Sequence, residues 1–185
     1  MKAFMRLFTA LDLPADILGR LETLLHQIRP TADIKWSRPS NLHITTKFIG
    51  HWPDERLDEL KTTLAGVQSP ALHVAVRGCD FIPNERSPRV LFCRVEAPGI
   101  DALAAATDRA TAALGIESES RAYTPHLTLA RIKERRGLEP LRTAIAALPS
   151  TDFGSFDARS FFLYRSQMRA GGSVYTKLAE FPLSH

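Results

Sequence analysis

The chain has 185 residues, 44% of them apolar and 24% charged, ordinary proportions for a globular protein long enough to bury a real core. No apolar run approaches the roughly 20 residues that span a bilayer, so no membrane association is expected. Two cysteines, Cys79 and Cys93, are too few for a disulfide framework and too isolated for a cysteine zinc site, which implies a cytoplasmic address, and the net charge of +4 leans only mildly towards anionic partners.

Lys2 to Leu11 alternates two mostly apolar sets, as a central strand covered on both faces does. Arg6 interrupts this opening and no small-residue cleavage site follows, so it reads as a strand and not as a signal peptide. Pro14 starts a helix whose apolar residues at helical spacing, Ile17, Leu18, Leu21, Leu24, Leu25 and Ile28, run to Pro30. Ile34 to Ser37 is a short strand, and Pro39-Ser40-Asn41 turns the chain into a second one that Gly50 closes. Pro53 to Val67 is an amphipathic helix with Asp54 and Glu55 in its first turn, where the helix dipole favours them. Leu72 to Phe81 and Arg89 to Glu96 form a hairpin about the polar turn at Asn84 to Pro88. Ile100 to Leu114 is an Ala-rich helix stopped by Gly115, and a polar connection from Glu117 to Pro125 leads into another strand. A helix follows from Glu139 to Leu148, and then two antiparallel strands, Phe153 to Gln167 and Ser173 to Phe181, turning at Gly171-Gly172. The order implies one α+β domain over residues 1–185, built of two similar lobes of mainly antiparallel sheet with helices packed outside.

Each lobe carries one copy of His-x-Thr, the first at His43-Ile44-Thr45 and the second at His126-Leu127-Thr128. Alternation puts His43 and Thr45 on one face and Ile44 on the other, and likewise separates His126 and Thr128 from Leu127 and Leu129. Two such strands facing each other make a pocket of two imidazoles and two hydroxyls. Imidazoles titrate near neutral pH, so a pair on opposite sides of one phosphorus serves as acid and base in an in-line displacement. Hydroxyls of Thr45 and Thr128 beside them suit the non-bridging oxygens. No H-x-H, no H-E-x-x-H and no cysteine pair adjoins either motif, so neither a metal nor another cofactor is expected. His26, His51, His73 and His185 read as surface or satisfied side chains.

At four stretches in the same order the chain resembles the two-histidine phosphoesterases, and within them the bacterial and archaeal RNA 2′,3′-cyclic phosphodiesterases once described as 2′-5′ RNA ligases. The stretches are Arg6 to Pro14, Trp36 with Asn41 to Thr45 and Phe48-Ile49-Gly50, Pro125 to Arg131, and Tyr164-Arg165-Ser166 with Gly171 to Tyr175. The resemblance implies a bilobal, pseudo-symmetric fold with the motifs facing across a cleft. It also implies metal-free hydrolysis of a terminal 2′,3′-cyclic phosphate to a 2′-phosphate, with His43 as proton donor and His126 as proton acceptor. Spacing alone does not assign those roles, because the two strands are nearly equivalent.

Arg131 matches a phosphate-contacting arginine of the family's second motif. Strict alternation turns it away from His126, so it reaches the pocket only if the strand ends, bends or bulges after Thr128. Lys47 shares parity with His43 and is the alternative phosphate contact. The run Arg131, Lys133, Arg135, Arg136 is a candidate RNA-backbone contact, and Phe8, Trp36, Phe48 and Tyr123 are candidates for base stacking. The expected partner is an RNA end or nucleotide carrying a 2′,3′-cyclic phosphate, bound by a monomer. Rival readings are 2′-5′ phosphodiesterase activity, the reverse reaction as a 2′-5′ RNA ligase, and a non-catalytic RNA-end binding module.

Overall fold

The computed structural model describes residues 3–134 and 136–184. Of the residues singled out above, Lys2, Arg135 and His185 lie outside the described residues. The strands are β1 (Phe4–Leu11), β2 (Lys35–Trp36), β3 (Ile44–Pro53), β4 (Leu72–Ile82), β5 (Val90–Glu96), β6 (His126–Arg131), β7 (Asp152–Ala158), β8 (Ser160–Arg169) and β9 (Gly172–Pro182). The helices are α1 (Ala15–Ile28), α2 (Leu57–Ala65), α3 (Ile100–Ala112) and α4 (Glu139–Ala146). No helix among the described residues is long and apolar enough to cross a membrane.

The strands form one sheet in the order β7-β4-β5-β6-β3-β1-β8-β9, with β2 added beside β6. Its two halves, β7-β4-β5-β6 and β3-β1-β8-β9, are the lobes, and β6 and β3 meet at the seam through one antiparallel pair, Ile44 with Leu127. Both side chains of that pair are fully buried. Towards His126 β3 diverges from β6, and on the other side, where β3 has not yet begun, β2 takes the free edge by pairing Lys35 with Arg131 and Trp36 with Ala130. The lobes therefore part at the seam and leave a cleft between them.

One expectation is corrected. The stretch from Phe153 to Gln167 is not one strand but two, β7 and β8, separated by Arg159 alone. They belong to different lobes: β7 pairs with β4, and β8 with β1 and β9. One intervening residue spans only about 7 Å, so the sheet curls until its two ends nearly meet. Leu183 and Ser184 close that gap, their backbone amides donating to the carbonyls of Arg159 and Ser69.

Helices are exchanged between lobes. The helix after β1, α1, packs on β7 and α4, while α3, which follows β5, packs on β3 and α2. Of the α1 residues expected at helical spacing, Ile17, Leu21, Leu24, Leu25 and Ile28 are buried and Leu18, at the margin of that face, is only partly so. Against β7 it lies so close that a Cβ on Gly154, whose φ is +105°, would sit 2.8 Å from Cδ1 of Ile17. Cys79 and Cys93 face each other across β4 and β5 as free thiols, their sulfurs 4.0 Å apart.

Candidate active site

The antiparallel register at the seam sets His43 opposite Thr128 and Thr45 opposite His126, all on the face that Ile44 and Leu127 leave. The two imidazoles thus start from a diagonal cross-strand pair, whose Cα atoms lie roughly 7–8 Å apart in such a register. Both histidines, both threonines and Arg131 line one cleft of about 720 Å³.

The two rings are held alike. Nδ1–H of His43 donates to the carbonyl of Asn41 at 2.6 Å, and Nδ1–H of His126 to the carbonyl of Thr124 at 2.9 Å. A carbonyl only accepts, so each bond fixes the tautomer and leaves Nε2 as the nitrogen free for chemistry. Nε2 of His43 lies 2.9 Å from Oγ1 of Thr45, whereas Nε2 of His126 has no partner among the described residues.

Their surroundings differ. His43 is walled by Phe8, with centroids 4.8 Å apart, and by Tyr175, edge-on at 5.2 Å. Burial lowers its pKa from the ordinary 6.5, against the smaller opposing pull of the Asn41 carbonyl and the Asp12 carboxylate. His126 is more open and meets only the edge of Phe92 among rings.

Arg131 reaches the cleft because β6 bulges. Leu91 pairs with Ala130 and Phe92 with Thr128, so Leu129 is the extra residue and the alternation flips after Thr128. A bulge in β3 does the opposite to Lys47, and here the expectation from parity is corrected. Ala10 pairs with Thr45 and Thr9 with Lys47, which makes Thr46 the extra residue and turns Lys47 to the helix side. There it is 3% exposed, with Nζ 2.6 Å from Oδ1 of Asp108 and 2.7 Å from the carbonyl of Glu117. Lys47 therefore does not line the cleft but ties β3 to α3 and to the connection that leads into β6.

Other candidates divide similarly. Phe8, Trp36 and Phe48 line the cleft, but Tyr123 does not; its hydroxyl donates to the carbonyl of Thr45 at 2.8 Å and pins the two motifs together. In the basic run after Arg131, Lys133 and Arg136 are exposed and lie outside the cleft lining. Besides Arg131 the cleft's cations are Arg6, Lys35 and Arg38, and among the described residues no carboxylate lines it. Arg38 and Asn41 also bond the carbonyls of Gly171 and Ser173, holding the β8–β9 turn at the mouth. Sequence reasoning missed Arg6, Lys35, Arg38 and Tyr175 as lining residues. The usable signal was the crowding of Lys35, Trp36 and Arg38 directly upstream of the first motif.

A curled α+β sheet with a His-x-Thr strand on each side of its seam defines a two-histidine phosphoesterase. The profile described as LigT like phosphoesterase matches residues 11–92 and again 94–175, once in each half of the sequence, and the chain belongs to that family. Relatives include the RNA 2′,3′-cyclic phosphodiesterase of Methanocaldococcus jannaschii, 30% identical over 95% of this chain and 99% of the relative. The protein of the same name from Thermus thermophilus is 33% identical over 97% of this chain and 90% of its own length. Among solved structures, E. coli LigT complexed with 3′-AMP superposes with a TM-score of 0.81, at 25% identity, covering 99% of this chain and 100% of that one.

Proposed function

We propose that the cleft performs the reaction whose name the relatives carry, the hydrolysis of a terminal RNA 2′,3′-cyclic phosphate, and that it yields a 2′-phosphate. His126 takes a proton from water as that water attacks phosphorus, and His43 gives one to the departing ribose 3′ oxygen. Attacking and leaving oxygens stand on opposite sides in such a displacement, which suits one imidazole from each lobe. Thr45 and Thr128 hold the non-bridging oxygens, and the planar Arg131 guanidinium matches a phosphate's acceptors. The observation that carries this reading is the seam register, which sets each histidine against the other strand's threonine.

Free Nε2 on His126 fits a base, and Nε2 of His43, bonded to a hydroxyl in a buried aromatic niche, fits a donor held in place. Among the described residues of the cleft lining, two imidazoles with no carboxylate or thiolate beside them and several cations around them fall short of the three or more protein ligands that hold a catalytic zinc, which supports a reaction without a metal. Both halves of the site come from one chain, which supports action as a monomer; the two unbridged thiols support a cytoplasmic setting.

The test is to incubate a 2′,3′-cyclic-phosphate RNA with the protein in excess EDTA and identify the monophosphate isomer. A 2′-phosphate is expected, with His43→Ala and His126→Ala each slowing turnover by about 10²-fold or more. Near-normal turnover in both variants, or activity that returns only with added zinc, overturns the mechanism.

A further inference from the structure

The cleft is furnished for more than the reacting group. A cyclic phosphodiester carries one negative charge, and Arg131 already stands beside the two motifs. Arg6 lies elsewhere: it is four residues along β1 from Ala10, the partner of Thr45. At about 3.4 Å per residue that is roughly 14 Å up the strand, beyond contact with a phosphate held between the imidazoles.

Past Arg6 the cleft runs into a second depression of about 330 Å³, and Arg6, Ser166 and Met168 line both. Its remaining walls include Phe4, His51 and Arg165. Register accounts for the grouping of Arg6, His51 and Ser166, since Arg6 pairs with His51 on one side and Ser166 on the other; Arg165, next in the chain, pairs with Leu7 and so starts from the opposite face. No carboxylate lines this depression, and Arg6, His51 and Arg165 have no ion-pair partner among the described residues.

The apolar surface points the same way. The large apolar side chains left exposed among the described residues are Phe4, Phe48, Met168 and Val174, and all but Val174 line the cleft or the depression. Unpartnered cations next to exposed apolar side chains are what a single-stranded nucleic acid needs, because the cations take the backbone and the flat surfaces take bases.

We propose that this depression binds the nucleotide preceding the one that bears the cyclic phosphate, so that the enzyme prefers an RNA end of two or more nucleotides to a cyclic mononucleotide. Arg6 and His51 take the linking phosphate, and the upstream base rests on Phe4 and Met168. This rests on the phosphodiesterase reading above.

The experiment compares a cyclic mononucleotide with a trinucleotide ending in the same cyclic phosphate, using the native protein, Phe4→Ala and His51→Gln, neither of which lines the catalytic cleft. The native protein should favour the trinucleotide in kcat/KM. Each variant should raise KM for the trinucleotide by about 5- to 20-fold at unchanged kcat. Mononucleotide turnover should stay at the native level, which also reports that the variants are folded. Equal kcat/KM for both substrates in the native protein, equal losses on both, or no loss on either overturns the subsite. If the native protein hydrolyses neither substrate, it is the catalytic reading that fails. Anisotropy with a labelled cyclic-ended trinucleotide then decides the subsite, at least 5-fold weaker binding by His51→Gln supporting it and equal binding removing it.

Discussion

His43 and His126 share a motif, a strand position and a tautomer-fixing bond, yet they occupy different media. Phe8 and Tyr175 strip water from His43, and its pKa falls below the ordinary 6.5 because burial disfavours the imidazolium. As proton donor it must carry a proton in the free enzyme, so kcat/KM should decline as pH rises through a value below 6.5. A bound phosphate anion restores the charged form, and the corresponding limb in kcat should lie at higher pH. Stability follows with a definite sign. The unfolded chain binds the His43 proton more tightly than the folded one, so stability is lost as pH falls through this window and regained as it rises. His43→Ala should therefore lose less melting temperature between neutral and mildly acidic pH than the native protein does. An equal loss in both would show that burial of this ring is energetically silent. His43 and Thr45 were legible from period-two alternation, but the niche that tunes His43 was not, because Tyr175 arrives from a strand more than a hundred residues away.

Alternation failed wherever a strand bulged. Lys47 and Arg131 each stand a short step beyond their His-x-Thr, and strict parity assigned Lys47 to the pocket and Arg131 away from it; the bulges at Thr46 and Leu129 reverse both. A bulge is decided by the partner strand's register, β1 in one case and β5 in the other, so local pattern carries no trace of it. The consequence for β3 and α3 is testable. Lys47 is buried and paired with Asp108, and Asp108 also accepts from the backbone amide of Glu119 at 3.1 Å. These bonds, with Tyr123 on Thr45, are what hold the lead-in to β6 against β3. Asp108→Asn leaves a buried ammonium facing a neutral amide and should cost about 2–4 kcal/mol in chemical denaturation, discounted from a fully enclosed pair because Asp108 is partly exposed. A cost under about 0.5 kcal/mol would mean that the tie contributes nothing to the fold. The split of the segment at Arg159 was equally hidden, since β7 and β8 both read as strand and only the sheet order shows that they serve different lobes.

At the scale of the whole molecule the duplicated pattern suggests two modules, but the packing does not let them separate. Each lobe is covered by a helix whose preceding strand belongs to the other: α1 follows β1 yet lies on β7, and α3 follows β5 yet lies on β3. Removing either lobe would bare an apolar helix face as well as the seam pair Ile44 and Leu127. The lobes should therefore unfold in one transition, with heat and denaturant reporting the same midpoint by far-UV and near-UV signals. Gly154→Ala probes this from one end of the sheet. The new methyl meets Ile17 at 2.8 Å and demands a φ of +105°, two costs that together reach about 2–3 kcal/mol and lower the melting temperature by about 4–12 °C for a chain of this size. If the lobes are one cooperative unit, Trp52, which lies in β3 of the other lobe, reports the full shift in a Trp36→Phe background, where Trp36, beside β6 in the lobe of β7, no longer contributes. Trp52 fluorescence unfolding at the native temperature while the circular dichroism midpoint falls would separate the lobes, and with them the idea that exchanged helices keep the two histidines at a fixed spacing.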